Sequence, residues 1–242
     1  MNRQSFERTV IENWTNHFGC PSETANISGT TLLPENKYEG DKIIAFWHIG
    51  KHTFVQLDPG ILPRLDELVK SLPANTPLLG EHVQTAWGDE AILSRDVGLT
   101  YYLFPADLPD YLPPEPFTLR QLTEADADFM SALNAANTPE DVDEAYVEVT
   151  HQIAFGCFHG EILVAAASGY ERTGFLDLGV LTHPGYRKKG LGKAVVGALC
   201  NWANQNNLIA QYRHNILNTG SQKVAESLNF QMFFKSEGIS LR

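Results

Sequence analysis

Features that would mark a membrane, secreted or metal-binding protein are missing from this 242-residue sequence. No apolar run approaches the length of a membrane span, and residues 1–10 are polar and mixed in charge, unlike a secretory signal. The three cysteines are odd in number and far apart, which predicts reduced thiols in a cytoplasmic protein. The eight histidines form no metal-binding spacing, so we expect no metal. Because long apolar runs are missing, we also expect no membrane partner.

Positive charge is also scarce. The 18 Lys and Arg residues face 29 Asp and Glu residues, and the net charge of −11 argues against nucleic-acid binding. The distribution is uneven, because residues 187–242 hold eight of the bases and only two of the acids. This basic C-terminal quarter indicates one local anionic ligand. No Lys or Arg lies between Gln121 and Glu171, and this acidic stretch would attract a cationic amine.

The sequence contains two patterned regions separated by prolines. Five of the 13 prolines fall in residues 105–116, which we interpret as a semi-rigid linker between domains at 1–104 and 117–242. The first region predicts a smaller α+β domain, with an irregular stretch over residues 20–41 and a hairpin at 43–57. Its other predicted elements are helices at 5–18, 62–72 and 81–87 and a strand at 100–104.

The second region predicts a mixed α/β sheet in which antiparallel strands come first and a β-α-β crossover follows. Thr123 with Asp126, and Thr138 with Pro139, are typical helix starts after a strand at residues 117–122. The remaining expected elements are strands at 153–158, 162–168 and 175–181, a helix at 191–204, a strand at 208–212, a helix at 221–228 and a strand at 230–234.

A single stretch, residues 176–193, predicts an anion-binding site. It contains an alternating strand, a Pro184-Gly185 turn, a basic glycine loop and the start of an amphipathic helix. Free N–H groups at such a helix start, with cations beside them, bind phosphates. A P-loop is excluded because Ala194 follows Gly192-Lys193, and a dinucleotide fingerprint because Val195 replaces its third glycine. An Arg-x-x-Gly-x-Gly pattern fits every position.

That pattern in residues 182–192 resembles the acyl-CoA loop of GCN5-related N-acetyltransferases (GNATs). Residues 218–230 resemble the second segment of the same family, at the usual separation. The resemblance covers about half the chain and implies a mostly antiparallel GNAT sheet flanked by helices, with acetyl-CoA as co-substrate and no metal. It implies CoA contacts at Val180, Leu181, Thr182, Arg187, Lys188, Lys189, Gly190, Leu191, Gly192, Lys193, Asn218 and Ser221.

The sequence departs from the family at the tyrosine that protonates the leaving thiolate, because Ala225 stands there. Tyr186, Tyr212 and Ser221 are candidate substitutes. Asn229 replaces the usual glycine, which is a tolerable exchange at a left-handed position.

Acetyl transfer to an ammonium requires a group that takes a proton. Asp177, on the central strand, is one candidate, with a solvated or ion-paired carboxylate as the alternative. Glu144 and Glu148 are expected one turn apart on one face of the second helix of this region, with a solvated acidic face as the alternative. His151 is a candidate base or simply the residue that begins a strand.

We therefore expect an acetyl-CoA-dependent N-acetyltransferase that acts on a small-molecule or peptide amine by direct attack in a ternary complex. The alternative is a non-catalytic acyl-CoA sensor or regulatory module. The N-terminal half would wall the acceptor cleft, form a homodimer contact, or be a degenerate second copy of the fold. No Arg-x-x-Gly-x-Gly pattern occurs in residues 1–116, so this half is not expected to bind CoA.

Overall fold

The computed structural model describes residues 2–242 and shows a mixed α+β fold. Met1, the first residue of the predicted N-terminal domain, lies outside the described residues. Most strand pairs are antiparallel and helices flank them, which confirms the predicted fold class. None of the helices within residues 2–242 is both long and apolar enough to cross a membrane.

The described residues form seven α-helices and ten strands, with short 3-10 turns between them. In chain order these are α1 (Arg3–His17), β1 (Gly29–Pro34), β2 (Ile43–Ile49), β3 (His52–Leu57), α2 (Leu62–Ser71), α3 (Gly80–Trp87), β4 (Ile92–Tyr102), β5 (Phe117–Gln121), α4 (Ala127–Ala135), α5 (Pro139–Ala145), β6 (Ile153–His159), β7 (Ile162–Arg172), β8 (Phe175–Thr182), α6 (Leu191–Gln205), β9 (Ala210–Asn215), α7 (Thr219–Ser227) and β10 (Gln231–Leu241).

The chain divides into two compact units. Unit 1 comprises residues 2–100, His214–Leu217 and Met232–Arg242, and unit 2 comprises Tyr101–Arg213 and Asn218–Gln231. This division does not follow the predicted boundaries, since residues 101–104 lie in unit 2 and His214–Leu217 lie in unit 1. The Pro-rich residues 105–116 fall in unit 2, and nearly all of β10 falls in unit 1 because it pairs antiparallel with β2. The boundaries at 104 and 117 remain a prediction.

Unit 1 has the strand order β1-β3-β2-β10-β4. The predicted hairpin is β2 with β3, and its turn needs Gly50 because an added Cβ would collide with the Ala25 carbonyl oxygen. The irregular stretch predicted at residues 20–41 was wrong, since it contains β1, which runs parallel to β3. The side chains of β1 are half-buried or exposed, so no apolar alternation marks this strand in the sequence.

A buried carboxylate on β10, Glu237, organises the polar part of unit 1. Its oxygens lie 2.6 Å from Arg95 Nη2 and 3.1 Å from His48 Nε2. Burial alone would raise the pKa of Glu237. The hydrogen bonds from His48 and Arg95 and the charges of Lys235 and Arg95 outweigh it and lower that pKa to about 2. The network therefore holds Glu237 ionised inside unit 1.

Unit 2 has the strand order β9-β8-β7-β6-β5. Strands β5 to β8 pair antiparallel in sequence, and β8 pairs parallel with β9, as the predicted crossover through α6 requires. Helix α5 starts as predicted, with Pro139 in its first turn and Thr138 Oγ1 accepting the Asp141 N–H at 3.1 Å. One core of unit 2 consists of Leu122, Met130, Leu133, Val147, Ala154, Phe158, Leu163, Ala166 and Leu181.

Candidate functional site

Strand β8 has one edge that is only partly paired. Its first edge pairs with β7 from Phe175 to Thr182, but its second edge pairs with β9 only from Leu176 to Leu178. Among the described residues, no strand continues this second edge beyond Leu178. The Leu176 N–H donates to Ile209 O on this side at 3.0 Å. Because backbone groups alternate along a strand, those of Val180 and Thr182 point to the same open edge.

Helix α6 begins beside this strand with free donors. Gly190 is its N-cap at φ 77°, no side chain caps it, and Lys188 is also left-handed at φ 64°. The first bond of the helix joins the Ala194 N–H to Gly190 O at 3.1 Å. The N–H groups that precede this bond have no acceptor within the helix, and they belong to Leu191, Gly192 and Lys193.

Gly192 brings the helix start and the open edge together. A Cβ added there would lie 3.5 Å from Thr182 Oγ1, 3.5 Å from Val224 and 3.7 Å from Val180. These are ordinary van der Waals distances, so the first turn of α6 lies directly against the open part of β8. The position can accept a Cβ without displacing its neighbours.

Two of the loop cations, Arg187 and Lys189, have defined partners. Arg187, predicted to bind CoA, donates to Asp141 Oδ2 at 2.9 Å and to Thr182 O at 3.3 Å, which ties the loop to α5 and to the end of β8. Lys189 Nζ lies 4.9 Å from the centre of the Tyr186 ring. Arg187 is thus engaged within the protein, whereas the backbone donors at the start of α6 remain available.

The Pro-rich segment also reaches this loop, through Tyr111. Lys193 Nζ lies 4.4 Å from the centre of the Tyr111 ring, and a Cβ added at Gly190 would collide with the Tyr111 hydroxyl. Gly190 is therefore required both by its left-handed backbone and by this close approach. The sequence did not indicate this contact because nothing periodic links residue 111 to the loop.

Asp177 is buried and fully engaged. Its Oδ1 accepts from Gln211 Nε2 and Arg213 Nε at 3.0 Å each, and its Oδ2 accepts from Arg213 Nη2 at 2.5 Å and Tyr170 Oη at 3.2 Å. The side chain is only 4% exposed. Asp177 therefore has the environment of an ion-paired carboxylate, which was the predicted alternative to a catalytic base.

Glu144 and Glu148 do not share a helix face, and that prediction was wrong. Helix α5 ends at Ala145 because Tyr146 turns left-handed at φ 44°. Glu144 Oε1 accepts from Asn218 Nδ2 at 3.0 Å, so these two predicted residues do meet. Glu148 lies in the following loop, where its carboxylate accepts from Thr150 Oγ1 at 3.0 Å.

The second predicted segment forms the start of α7. Asn218 is its N-cap, and its Oδ1 accepts the Ser221 N–H at 2.9 Å. Behind them, burial raises the pKa of Tyr212 to about 12, with a lowering contribution from a hydrogen bond with Ser221 and a raising one from the charge of Glu144. The phenol of Tyr212 thus stays protonated at neutral pH next to α7. Ala225 is fully buried on that helix.

Three further side chains lie beside the predicted residues and were not singled out from the sequence. Tyr146, Ser168 and Tyr170 surround His151, which the sequence left open between a base and a strand start. No pattern marks them, because Tyr146 ends a helix and the other two lie in the mostly apolar β7. Within residues 2–242, no three His, Cys, Asp or Glu side chains are grouped as a metal site requires.

The family follows from comparison with known proteins. The sequence model of the GNAT acetyltransferase family matches residues 114–236, which is just over half the chain and includes β8, the loop, α6 and α7. The chain belongs to the GNAT acetyltransferase family. This confirms the resemblance found in residues 182–192 and 218–230. The match begins at residue 114, so the degenerate second copy in the N-terminal half remains a prediction.

Solved structures have a similar fold. A GNAT-family acetyltransferase from Colwellia psychrerythraea is 16% identical with a TM-score of 0.52, covering 82% of this chain and 81% of its own. A GCN5-related N-acetyltransferase from Kribbella flavida is 17% identical with a TM-score of 0.51, covering 79% and 84%. A Drosophila protein is 15% identical with a TM-score of 0.51, covering 98% and 88%. No curated protein matches the chain.

Proposed function

We propose that this GNAT protein transfers an acetyl group from acetyl-CoA to an amine acceptor by direct attack in a ternary complex. The observation that carries the proposal is the juxtaposition of the open edge of β8 with the uncapped start of α6. An open strand edge binds an extended amide-containing chain, and a helix start binds phosphate. Acetyl-CoA contains both groups, joined in one molecule.

The residues present fit such a ligand. The backbone groups of Val180 and Thr182 would pair with the pantetheine arm, as a short added strand. The N–H groups of residues 191–193, with Lys188 and Lys193 beside them, would hold the pyrophosphate. Leu181 lies between Val180 and Thr182, but its side chain is buried in the core of unit 2 and its backbone groups face β7, so it is not expected to contact the pantetheine arm. In this proposal Arg187 holds the loop in shape through Asp141.

The departing thiolate needs a proton, and we assign its donor to Tyr212. Of the three candidates, Tyr186 is hydrogen-bonded at 3.1 Å to His159, and Ser221 has a weakly acidic hydroxyl. Tyr212 supplies a phenol that is protonated at neutral pH, and although burial raises its pKa to about 12 it remains a stronger acid than the hydroxyl of Ser221. It would compensate for the alanine at position 225.

Asp177 fits a positioning role better than that of a base. The hydrogen bonds that it accepts come from Gln211, Arg213 and Tyr170, so its lone pairs are already engaged. We propose that it fixes Tyr170 and Arg213 at the sheet. Glu144 would hold Asn218, and the half-exposed Glu148 would attract an ammonium group.

The test combines binding with turnover. Calorimetry with CoA should show one site per chain, and thiol release from acetyl-CoA should depend on an added amine from a panel of polyamines, amino acids, aminoglycosides and peptides. Binding without amine-dependent release for any member would favour the acyl-CoA sensor. Absence of binding would refute both functions. The predicted homodimer is checked separately by sedimentation of the free protein.

A further inference from the structure

The side chain of His151 is mostly buried and is held by a hydrogen bond at one of its two ring nitrogens. Only 9% of it is exposed, and its Nδ1 lies 2.8 Å from Ser168 Oγ. Ser168 is fully buried, and its Oγ also accepts the Glu148 N–H at 3.1 Å. The other ring nitrogen, Nε2, lies 3.9 Å from Glu148 Oε2, beyond hydrogen-bond distance. The tautomer with its proton on Nδ1 donates to Ser168 and leaves the Nε2 lone pair directed toward the half-exposed carboxylate.

Two tyrosines fix the plane of this imidazole. The His151 ring centre lies 4.9 Å from that of Tyr146 and 5.0 Å from that of Tyr170, and the two tyrosine rings are 5.4 Å apart. Tyr146 adopts a left-handed backbone conformation, which is uncommon and strained for a residue of this size. Its ring is nevertheless half-exposed, so it forms a wall of the cluster that a ligand can reach.

The His151 cluster, which includes Tyr146, Ser168 and Tyr170, lies next to β8, the strand that would hold the pantetheine arm. In the β7–β8 register Ser168 pairs with Gly179 and Tyr170 with Asp177. Gly179 has no side chain, and a Cβ there would collide with the carbonyl oxygen of Ala145 at the end of α5. The end of α5 therefore rests on β8 one residue from Val180, whose backbone faces the open edge.

We propose that His151 is the general base of the acetyl transfer, and that the acceptor is a primary amine that is an ammonium ion in water. This inference rests on the proposed function. It assigns the proton acceptor to a histidine rather than to any of the three acids that the sequence favoured. Glu148 and the half-exposed face of Tyr146 would hold the cation beside Nε2, through charge attraction and a cation–π contact.

The reaction balances in protons and electrons with acetyl-CoA and the amine as its reactants. His151 Nε2 takes one proton from the ammonium, which gives a neutral amine and an imidazolium facing Glu148. The amine nitrogen then attacks the thioester carbonyl carbon, a C–N bond forms, and the C–S bond breaks. The thiolate receives a proton from Tyr212, which regains one from the acylated nitrogen as that nitrogen becomes an amide. The imidazolium releases its proton to water past Glu148, so one proton is released per turnover.

The charge state of His151 suits this role. Burial lowers the pKa of His151, and the charge of Glu148 opposes this shift in part. The imidazole is therefore neutral at neutral pH, and its Nε2 is able to accept a proton. The other ionisable groups around it are Tyr146 at the end of α5 and Tyr170 on β7, with Asp177 and Arg213 reached through the Tyr170 hydroxyl.

The test is the pH profile of kcat/KM for the His151→Gln variant with the best amine substrate, beside wild type. We expect a loss of about 100-fold or more, disappearance of the acidic limb below about pH 6.5, and partial rescue by added imidazole. CoA affinity should stay within about threefold by calorimetry. His17→Gln, an exposed histidine in unit 1, is the control and should match wild type.

A second variant keeps the proposal testable if His151→Gln does not fold. Ser168→Ala removes the partner of Nδ1 and should reduce kcat by about 5- to 20-fold while moving the acidic limb, which a merely structural role would not do. Retained activity and an unchanged acidic limb in either variant would overturn the assignment while leaving the acetyltransferase intact. Absence of turnover by wild type with every amine would instead overturn the proposed function, and the base with it.

Discussion

Gly192→Glu isolates the electrostatic part of CoA binding at the start of α6. The added Cβ lies no closer than 3.5 Å to Thr182 and Val224, so a Cβ at this position does not displace them. An acidic group in the first turn of a helix stabilises it by about 0.3–1 kcal/mol, and loss of a glycine adds to this. The folded protein should therefore be at least as stable as wild type. The same carboxylate would face the pyrophosphate.

The magnitude follows from Coulomb's law. Two unit charges about 5 Å apart at an effective dielectric constant of about 20 repel by about 3 kcal/mol. Partial solvent exposure reduces this to about 2 kcal/mol, which corresponds to about a 30-fold increase in the Kd for CoA. Gly192→Gln has the same size without the charge and should weaken binding by much less. Raising the salt concentration should narrow the difference between the two variants.

The assay is calorimetric titration of CoA into wild type and both variants, with urea unfolding as the check on stability. Equal Kd values for Gly192→Glu and Gly192→Gln would refute the electrostatic reasoning. Wild-type affinity in both variants would place the pyrophosphate elsewhere. Gly190→Glu is a poorer choice, because any side chain there collides with Tyr111 on a left-handed backbone and confounds folding with binding.

Substitutions at Glu237 in unit 1 and at Gly179 in unit 2 test the contacts that stabilise each unit. Glu237→Gln should lower the free energy of unfolding by about 2–3 kcal/mol at about pH 7, because the folded carboxyl has a pKa near 2 and the unfolded one about 4.3. This stabilisation is present above the unfolded pKa and is lost as the pH falls toward 2, so urea titrations of the two proteins should converge in acid. Gly179→Ala should lower Tm and abolish most amine-dependent turnover, because its Cβ would force Ala145 away from β8 at about 1–3 kcal/mol. Gly197→Ala is its matched control within α6, where the Cβ would meet only Leu228 at 3.6 Å, and it should leave Tm unchanged or raise it.

The segment from β8 to α6 was predictable because its signals are local. The apolar period changes from two to 3.6 across a Pro-Gly turn, and residues 187–193 contain two glycines and four cations. The free N–H groups that would bind an anion belong to the first turn of α6, so they follow from where the helix begins. Helix α5 was predictable at its start for the same reason, since Thr138 and Pro139 form a local cap.

The parts that could not be predicted depend on contacts distant in sequence. Asp177 is ion-paired with Arg213, 36 residues later, and no local pattern could reveal that its lone pairs are engaged. The left-handed turn at Tyr146 removes Glu148 from the helix, although tyrosine is not a residue typical of such turns. Strand β1 lacks a buried face, and β10 joins unit 1 through its pairing with β2.

The proposed function depends on direct passage of the acetyl group from acetyl-CoA to an amine in one complex. A single-turnover experiment tests it most directly: excess protein is mixed with acetyl-CoA carrying a labelled acetyl group and with the best amine, quenched over time and analysed by mass spectrometry. Direct transfer predicts that label leaves CoA and appears on the amine at the same rate, with no acetylated protein at any time. Label that accumulates on the protein before the amine, or that stays on CoA with every amine, would contradict it.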